Sequence, residues 1–195
     1  MVTSKEYTPL TSFKRAEILY FKGQFKEALN RIDALQKSVS IQNGLYNDIL
    51  ERRQLLESFA QDSSSLQQFG EAELLIYQQK KSEAAEILSH LARSEEKIST
   101  IAGRIGGKLY LELDQPEESR ALLQYLREKY PDDIHMDEIL YYLAQTEEYL
   151  GEYNRALDLY TKIIAKHSTS LYLSEAREHA RRMTEQLNKE EIWNL

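Results

Sequence analysis

The sequence has no cysteine, and this absence excludes several kinds of site at once. Disulfide bonds, thiolate catalysis, cysteine-ligated zinc and iron–sulfur clusters all require the thiol group. Proline and glycine are also scarce, with 3 and 7 residues among 195, so the strong helix formers that dominate the composition are seldom interrupted. We therefore expect long helices joined by short turns, which is an all-α fold class.

The chain also lacks a long apolar run. No stretch reaches the ~18 apolar residues of a membrane helix, and the first ten residues carry no apolar signal-peptide core. The formal net charge is −7, whereas a nucleic-acid surface needs clustered Lys and Arg to displace counterions from phosphates. We expect a soluble chain that neither inserts in a membrane nor binds nucleic acid.

Internal repeats are the strongest signal in the sequence. Residues 16–28, AEILYFKGQFKEA, align without a gap with residues 72–84, AELLIYQQKKSEA, and an offset of 37 residues relates Gly107 to Ala144. Each repeat has two small residues 12 positions apart, which lets paired antiparallel helices approach closely where they cross. The four pairs are Ala16 with Ala28, Ala72 with Ala84, Gly107 with Ser119, and Ala144 with Ala156.

Helix pairs follow from these repeats and from the Gly- or Pro-containing turns inside them. We predict pairs over residues 11–38, 65–94, 97–130 and 135–167, all within a single domain spanning 1–195. Two further helices complete the prediction. The helix at 44–60 carries Leu45, Ile49, Leu56 and Phe59 on one side but has no partner within a repeat, and the amphipathic helix at 171–187 would cap the stack.

The last repeat resembles the tetratricopeptide repeat family. Residues 140–164, LYYLAQTEEYLGEYNRALDLYTKII, carry the family's small, aromatic and apolar residues at its positions: Leu143, Ala144, Gly151, Tyr153, Ala156, Tyr160 and Ile163. The repeat before it adds Gly107, Tyr110 and the KYPD ending at 129–132. Lys81 and Pro116 depart from the pattern by replacing an aromatic residue, and Glu147 stands where an aromatic residue is usual. The resemblance implies a right-handed α-solenoid that binds proteins and is not an enzyme.

Two segments are more specifically similar to bacterial cell-envelope tetratricopeptide proteins. They are residues 129–144, KYPDDIHMDEILYYLA, and residues 166–183, KHSTSLYLSEAREHARRM. The types concerned are the Tol-Pal coordinator and the outer-membrane assembly lipoproteins. The whole chain resembles the C-terminal part of larger tetratricopeptide proteins. This implies a scaffold in the periplasm or cell envelope, with the cytoplasm as the alternative compartment.

The resemblance also implies a partner-binding concave face, lined by the first helix of each pair. The family's groove positions fall on Phe13, Glu17 and Phe21; on Phe69, Glu73 and Tyr77; on Arg104, Lys108 and Glu112; and on Tyr141, Gln145 and Tyr149. Arg104 and Lys108 lie one helical turn apart beside tyrosines, a combination that suits a peptide carboxylate. Under the alternative interpretation, the tyrosines pack between repeats and the cations pair with nearby glutamates.

Other candidate chemistry has simpler interpretations. Residues 102–109, AGRIGGKL, miss the phosphate-binding loop because the spacing between the glycines at 103 and 107 is one residue short and Leu109 replaces Ser or Thr, so we interpret the glycines as small packing residues. The four histidines lack metal-binding spacing, and Glu147 with Glu148 is interpreted as a solvated face. We expect no cofactor, metal or catalytic residue. A second copy of the chain, or the rest of a longer one, is an alternative partner, and a helical enzyme would need an acid–base cluster that the sequence does not show.

Overall fold

The structure is a computed structural model that describes the backbone of residues 7–59, 61–94 and 96–193 and the side chains of residues 9–59, 61–94 and 96–189. Ten α-helices and no β-strand occur within these residues, which confirms the predicted all-α repeat fold. The helices are α1 (Tyr7–Phe21), α2 (Phe25–Ser38), α3 (Tyr46–Ser58), α4 (Ser63–Tyr77), α5 (Lys81–Ala92), α6 (Ser99–Glu112), α7 (Pro116–Lys129), α8 (Met136–Tyr149), α9 (Tyr153–Lys166) and α10 (Leu173–Trp193). Each predicted helix is present, with ends within four residues of the predicted ones, except that α10 continues to Trp193, beyond the predicted end at 187.

The chain divides into two compact units, residues 1–79 and residues 80–195. The division falls between α4 and α5, the two helices predicted as the second pair, so each helix is described with its own unit. The single-domain arrangement over 1–195 stays a prediction. No helix in the described part of the chain is long and apolar enough to span a membrane.

The first unit is built around the α1–α2 pair. Ala16 and Ala28, the predicted small residues, are fully buried in these two helices. Gly23 takes the left-handed conformation, with φ of 75°, in the turn that joins them. The helix that sequence analysis left without a partner is α3, and it packs against α2, while α4 packs against α1. Ile49 and Leu56 of α3 are buried, so the predicted apolar side of this helix faces the protein.

In the second unit, α5 to α10 pack in series, each helix against the next along the chain. A continuous apolar core runs through α7, α8, α9 and α10. Gly151 lies in the turn between α8 and α9 and takes the left-handed conformation, with φ of 76°. Pro116 is the first residue of α7, as predicted from the turn residues. The last helix buries Ala176 and Met183 against this core, consistent with a covering role.

The α6–α7 crossing shows why small residues recur in the sequence. A Cβ atom on Gly107 would lie 2.5 Å from Cδ2 of Leu123, and one on Gly103 would lie 2.6 Å from Cδ1 of Leu126. At the same crossing, Ser119 Oγ donates to the Gly107 carbonyl at 2.8 Å and lies 2.9 Å from Thr146 Oγ1 of α8. The interpretation of these glycines as packing residues is confirmed, because only a missing side chain permits this approach.

Candidate partner-binding site

An open cleft of about 650 Å³ lies on the first-helix side of the second unit. Three of its walls are α6, α8 and α10, and α9 supplies the remaining lining residue. The lining residues are Leu111; Gln145, Glu148 and Tyr149; Tyr153; and His179, Arg182, Met183 and Gln186. Gln145 and Tyr149 are predicted groove residues, so the structure brings these two together with residues of the last helix that sequence analysis treated only as a cover.

Glu148 holds the last helix against the repeat at this cleft. Its carboxylate accepts hydrogen bonds from Tyr160 at 3.0 Å and from Arg182 at 3.0 Å, and it lies 2.6 Å from His179 Nδ1. Burial, reinforced by the Glu148 charge, raises the pKa of the Tyr160 phenol, which therefore remains a hydrogen-bond donor at neutral pH. One carboxylate thus links α8, α9 and α10 at the cleft.

Tyr149 is the most accessible aromatic residue of the cleft. Tyr149 is 58% exposed, and its hydroxyl donates a hydrogen bond to Asp114 in the turn between α6 and α7. Beside it, Gln145 Nε2 donates to the Tyr141 hydroxyl at 3.0 Å. These hydrogen bonds hold both side chains at the cleft while leaving the Tyr149 ring open to solvent.

The other predicted groove residues of the second unit are largely engaged within the protein. Arg104 forms an ion pair with Glu138. Tyr141 is buried and stacks on Tyr172, with 4.5 Å between the ring centroids and an interplanar angle of 21°. Lys108 is exposed, with Nζ 5.7 Å from the centroid of a tyrosine ring. For Arg104 and Tyr141 the geometry fits the alternative interpretation, in which cations pair with glutamates and tyrosines pack between repeats.

In the first unit, Arg52 of α3 forms ion pairs with both of the acidic residues that were predicted to line the groove, Glu17 and Glu73. Arg52 Nε lies 2.7 Å from Glu17, and its terminal nitrogens lie 2.8 and 3.2 Å from the two oxygens of Glu73. The guanidinium carbon is 4.1 Å from the centroid of the Tyr20 ring, and the Arg52 side chain is only 13% exposed. Burial opposes the charge of Arg52, but the two carboxylates outweigh burial and raise the pKa of its guanidinium.

Sequence analysis missed Arg52, although a signal was present. Arg52 lies three residues after Ile49 and four before Leu56, so a regular helix places it on the same apolar side. A charged residue inside such a stripe has to find a partner when the stripe is buried. Its partners lie on other helices, so the spacing of residues within α3 does not predict which they are.

The remaining first-unit residues divide by exposure. Tyr77 is 74% exposed, with Lys14 Nζ 5.9 Å from its ring centroid, and Phe21 is half-buried beside Tyr20. Phe13 and Phe69 are buried in the core, so the prediction that they line a groove is wrong. Their aromatic rings pack between helices. The groove positions carried over from the family do not distinguish an aromatic residue that packs in the core from one that binds a partner.

The prediction of a solvated face at Glu147 and Glu148 is also wrong. Glu147 is 1% exposed, and its carboxylate accepts a hydrogen bond from Arg120 of α7 at 2.8 Å. Glu148 is half-buried in the cluster described above. Glu147 stands where related repeats carry an aromatic residue, so the chain fills an apolar position with a buried ion pair.

Comparison with known proteins identifies the class of repeat in the second unit. The sequence model of the tetratricopeptide repeat family matches residues 106–133 and 138–170, which cover the second half of α6, all of α7, α8 from its third residue and all of α9. The match covers less than half of the chain and supports the tetratricopeptide repeat superfamily for the matched residues. The all-α fold of the described residues is consistent with a helical repeat of that type. Tetratricopeptide repeats generally act as non-catalytic scaffolds for interactions between proteins. No curated protein matches the chain.

Proposed function

We propose that the chain is a non-catalytic scaffold that binds a peptide or an extended segment of a protein in the cleft bordered by α6, α8 and α10. The observation that carries this proposal is the position of Gln145 and Tyr149 together in one open cleft. These two residues come from the family's groove positions and remain accessible, whereas Arg104 and Glu17 are already paired within the protein.

The chemistry of the cleft favours a peptide that is not strongly charged. Leu111 and Met183 supply apolar surface, Tyr149 supplies an aromatic anchor, and Gln145 and Gln186 supply amides that can bond a peptide backbone. Glu148, the cleft's carboxylate, already pairs with Arg182 and His179, so the local charge is close to balanced. We therefore expect an extended segment with apolar side chains and free backbone groups.

Selection from a random peptide library tests the proposal. Peptides that bind the purified chain are measured by calorimetry against Tyr149→Ala and Gln145→Ala, each of which should weaken binding on the order of tenfold. Tyr77→Ala is the matched control, since Tyr77 is another exposed tyrosine at a predicted groove position but lies in the first unit.

The control also identifies failure. If Tyr77→Ala weakens binding and Tyr149→Ala does not, the assignment to this cleft is wrong. Light scattering at several concentrations accompanies the titration. A stable dimer that blocks peptide binding would instead favour a role in self-association, the alternative that the sequence leaves open.

For the compartment, we propose the bacterial cell envelope. The proposal is supported by the similarity of residues 129–144 and 166–183 to envelope tetratricopeptide proteins. Fractionation of cells that express the complete gene product with an epitope tag tests it. Recovery of the protein in the cytoplasmic fraction alone would reject the envelope assignment and leave the scaffold proposal standing.

A further inference from the structure

The geometry points to a second interaction surface in the second unit, a cationic groove bordered by α7 and α9 that binds an acidic peptide segment. This groove has a volume of about 660 Å³. It is lined by residues of the second helices α7 and α9 and by Glu147 of α8, whereas the cleft proposed above is formed mainly by first helices, and no residue lines both. The inference therefore stands independently of the function proposed for the cleft.

The groove is built from two matching helix faces. Arg120, Gln124 and Arg127 follow one another at spacings of four and three on α7. On α9, Arg155, Asp158 and Lys162 follow at spacings of three and four. Residues at these spacings share one side of a helix, so each helix presents a row of two cations separated by a polar or acidic residue. The two rows line the same depression.

Internal pairing leaves two of the four cations largely available. Lys162 pairs with Asp158 at 2.5 Å, and Arg120 pairs with the buried Glu147. By contrast, Arg127 makes no ion pair within the part of the chain that the structure describes. Arg155 has a side chain that is 61% exposed and reaches carboxylates only at 3.9 and 4.0 Å. The two arginines are thus positioned at the groove without a close partner.

Two arginines that lack a close carboxylate partner favour a ligand with carboxylates. The guanidinium group offers parallel donors that match a carboxylate's two oxygens, and such charge-assisted bonds are stronger than neutral ones. Arg120 adds a buried Nε that has no hydrogen-bond partner among the described residues. The lining of the groove therefore combines two cations that lack a close carboxylate with a third arginine whose Nε donor is unsatisfied.

An acidic peptide suits this groove better than a nucleic acid. Tight binding to nucleic acid rests on neutralising several phosphates, whereas the groove offers two arginines without a close carboxylate partner within a chain whose net charge is −7. A peptide needs only a few glutamates or aspartates placed against these arginines. It carries fewer negative charges than a nucleic acid, so the net negative charge of the protein repels it less.

Fluorescence anisotropy with defined probes tests the inference. The probe is a short labelled peptide of alternating glutamate and alanine, and a glutamine–alanine peptide is the neutral comparison. Arg127→Glu combined with Arg155→Glu should weaken binding of the acidic peptide on the order of tenfold per arginine. The charge-matched control is Arg177→Glu combined with Arg181→Glu, which alters two exposed arginines of α10 outside the groove.

Four outcomes would overturn the inference: no measurable binding of the acidic peptide to the wild-type chain at low salt, equal binding of the neutral peptide, equal weakening by the α10 control, or tighter binding of a single-stranded oligonucleotide that depends on the same two arginines. Circular dichroism establishes that each variant is folded. If the double glutamate variant unfolds, Arg127→Gln combined with Arg155→Gln removes the same two charges with less disruption, and unchanged binding to it would also refute the inference.

Discussion

Replacing Arg52 by methionine should destabilise the first unit far more than the same replacement of Arg53, the next residue of α3. Methionine keeps an unbranched apolar chain of similar length, so the change removes the guanidinium and little of the packing. It strips Glu17 and Glu73 of their shared partner, while their side chains stay only 14% and 26% exposed. Both carboxylates would then remain charged and partly buried without compensation.

The expected magnitude is about 3–4 kcal/mol. Breaking a buried ion pair from one side costs about 3–5 kcal/mol, and the residual exposure of the two carboxylates places Arg52 at the lower end. Loss of the contact between the guanidinium and the Tyr20 ring adds on the order of 1 kcal/mol. This is a large share of the total for a unit of this size, because whole domains are stable by only about 5–15 kcal/mol.

Arg53 provides the matched control on the same helix. It pairs with Asp33 at 2.7 Å and Glu57 at 2.6 Å, but its side chain is 35% exposed, so Arg53→Met should cost much less than Arg52→Met. Urea unfolding followed by circular dichroism measures both variants. Hydrogen exchange then locates the effect, with faster exchange expected in α1, α3 and α4 and little change in α6 to α10.

Two results would refute this reasoning. The first is equal destabilisation by Arg52→Met and Arg53→Met, which would mean that burial of the ion pair is unimportant. The second is additivity in a double-mutant cycle of Arg52→Met with Glu73→Gln, because paired groups must show a coupling energy. If Glu73→Gln instead restores part of the stability lost in Arg52→Met, the unpaired carboxylate is the source of the cost.

Three further predictions follow from the packing. Gly107→Ala should lower the free energy of unfolding by about 1 kcal/mol, because the clash at the α6–α7 crossing outweighs the better helix propensity of alanine. Gly44→Ala is the control: its Cβ meets no atom within 4 Å, so the same urea assay should show a neutral or stabilising effect. Glu147→Ala should cost about 2–3 kcal/mol by leaving the Arg120 guanidinium without its buried partner, and a loss below 0.5 kcal/mol, a typical surface value, would contradict the burial argument. Burial raises the pKa of the Tyr20 phenol, so the folded state keeps a proton that the unfolded state loses above about pH 10. Stability is thus fully present below that pH and falls as the pH rises through it, and the urea midpoint and the absorbance of ionised tyrosine measure this directly.

Local pattern predicted the architecture because the relevant information is local. Small residues 12 positions apart, turns with glycine or proline and apolar residues at helical spacing depend only on neighbours in the chain. Gly107 with Ser119 illustrates this, since the sequence places both at the predicted crossing and the structure joins them by a hydrogen bond. The same logic predicted an amphipathic helix at 171–187, which the structure shows as α10 with Ala176 and Met183 buried.

The candidate site was predicted only in part, because several groove positions serve packing or internal pairing. Gln145 and Tyr149 lie together in a cleft, but Phe13 and Phe69 are core residues. An aromatic residue on a first helix gives the same sequence signal whether it faces solvent or a neighbouring helix. His179 and the rest of the α10 wall were missed as cleft residues, because they reach it from another helix.

By itself the sequence determined the helices, their order and the small residues that let pairs cross closely, because each depends on hydrogen bonds and side-chain size within a short stretch of chain. Only the tertiary structure decided which charges are buried and with whom. Arg52 forms ion pairs with Glu17 and Glu73, and Glu147 forms one with Arg120; the paired residues are 21 to 35 positions apart in the sequence. Such pairings are fixed by how helices are oriented against one another, and they decide which surfaces remain for a partner.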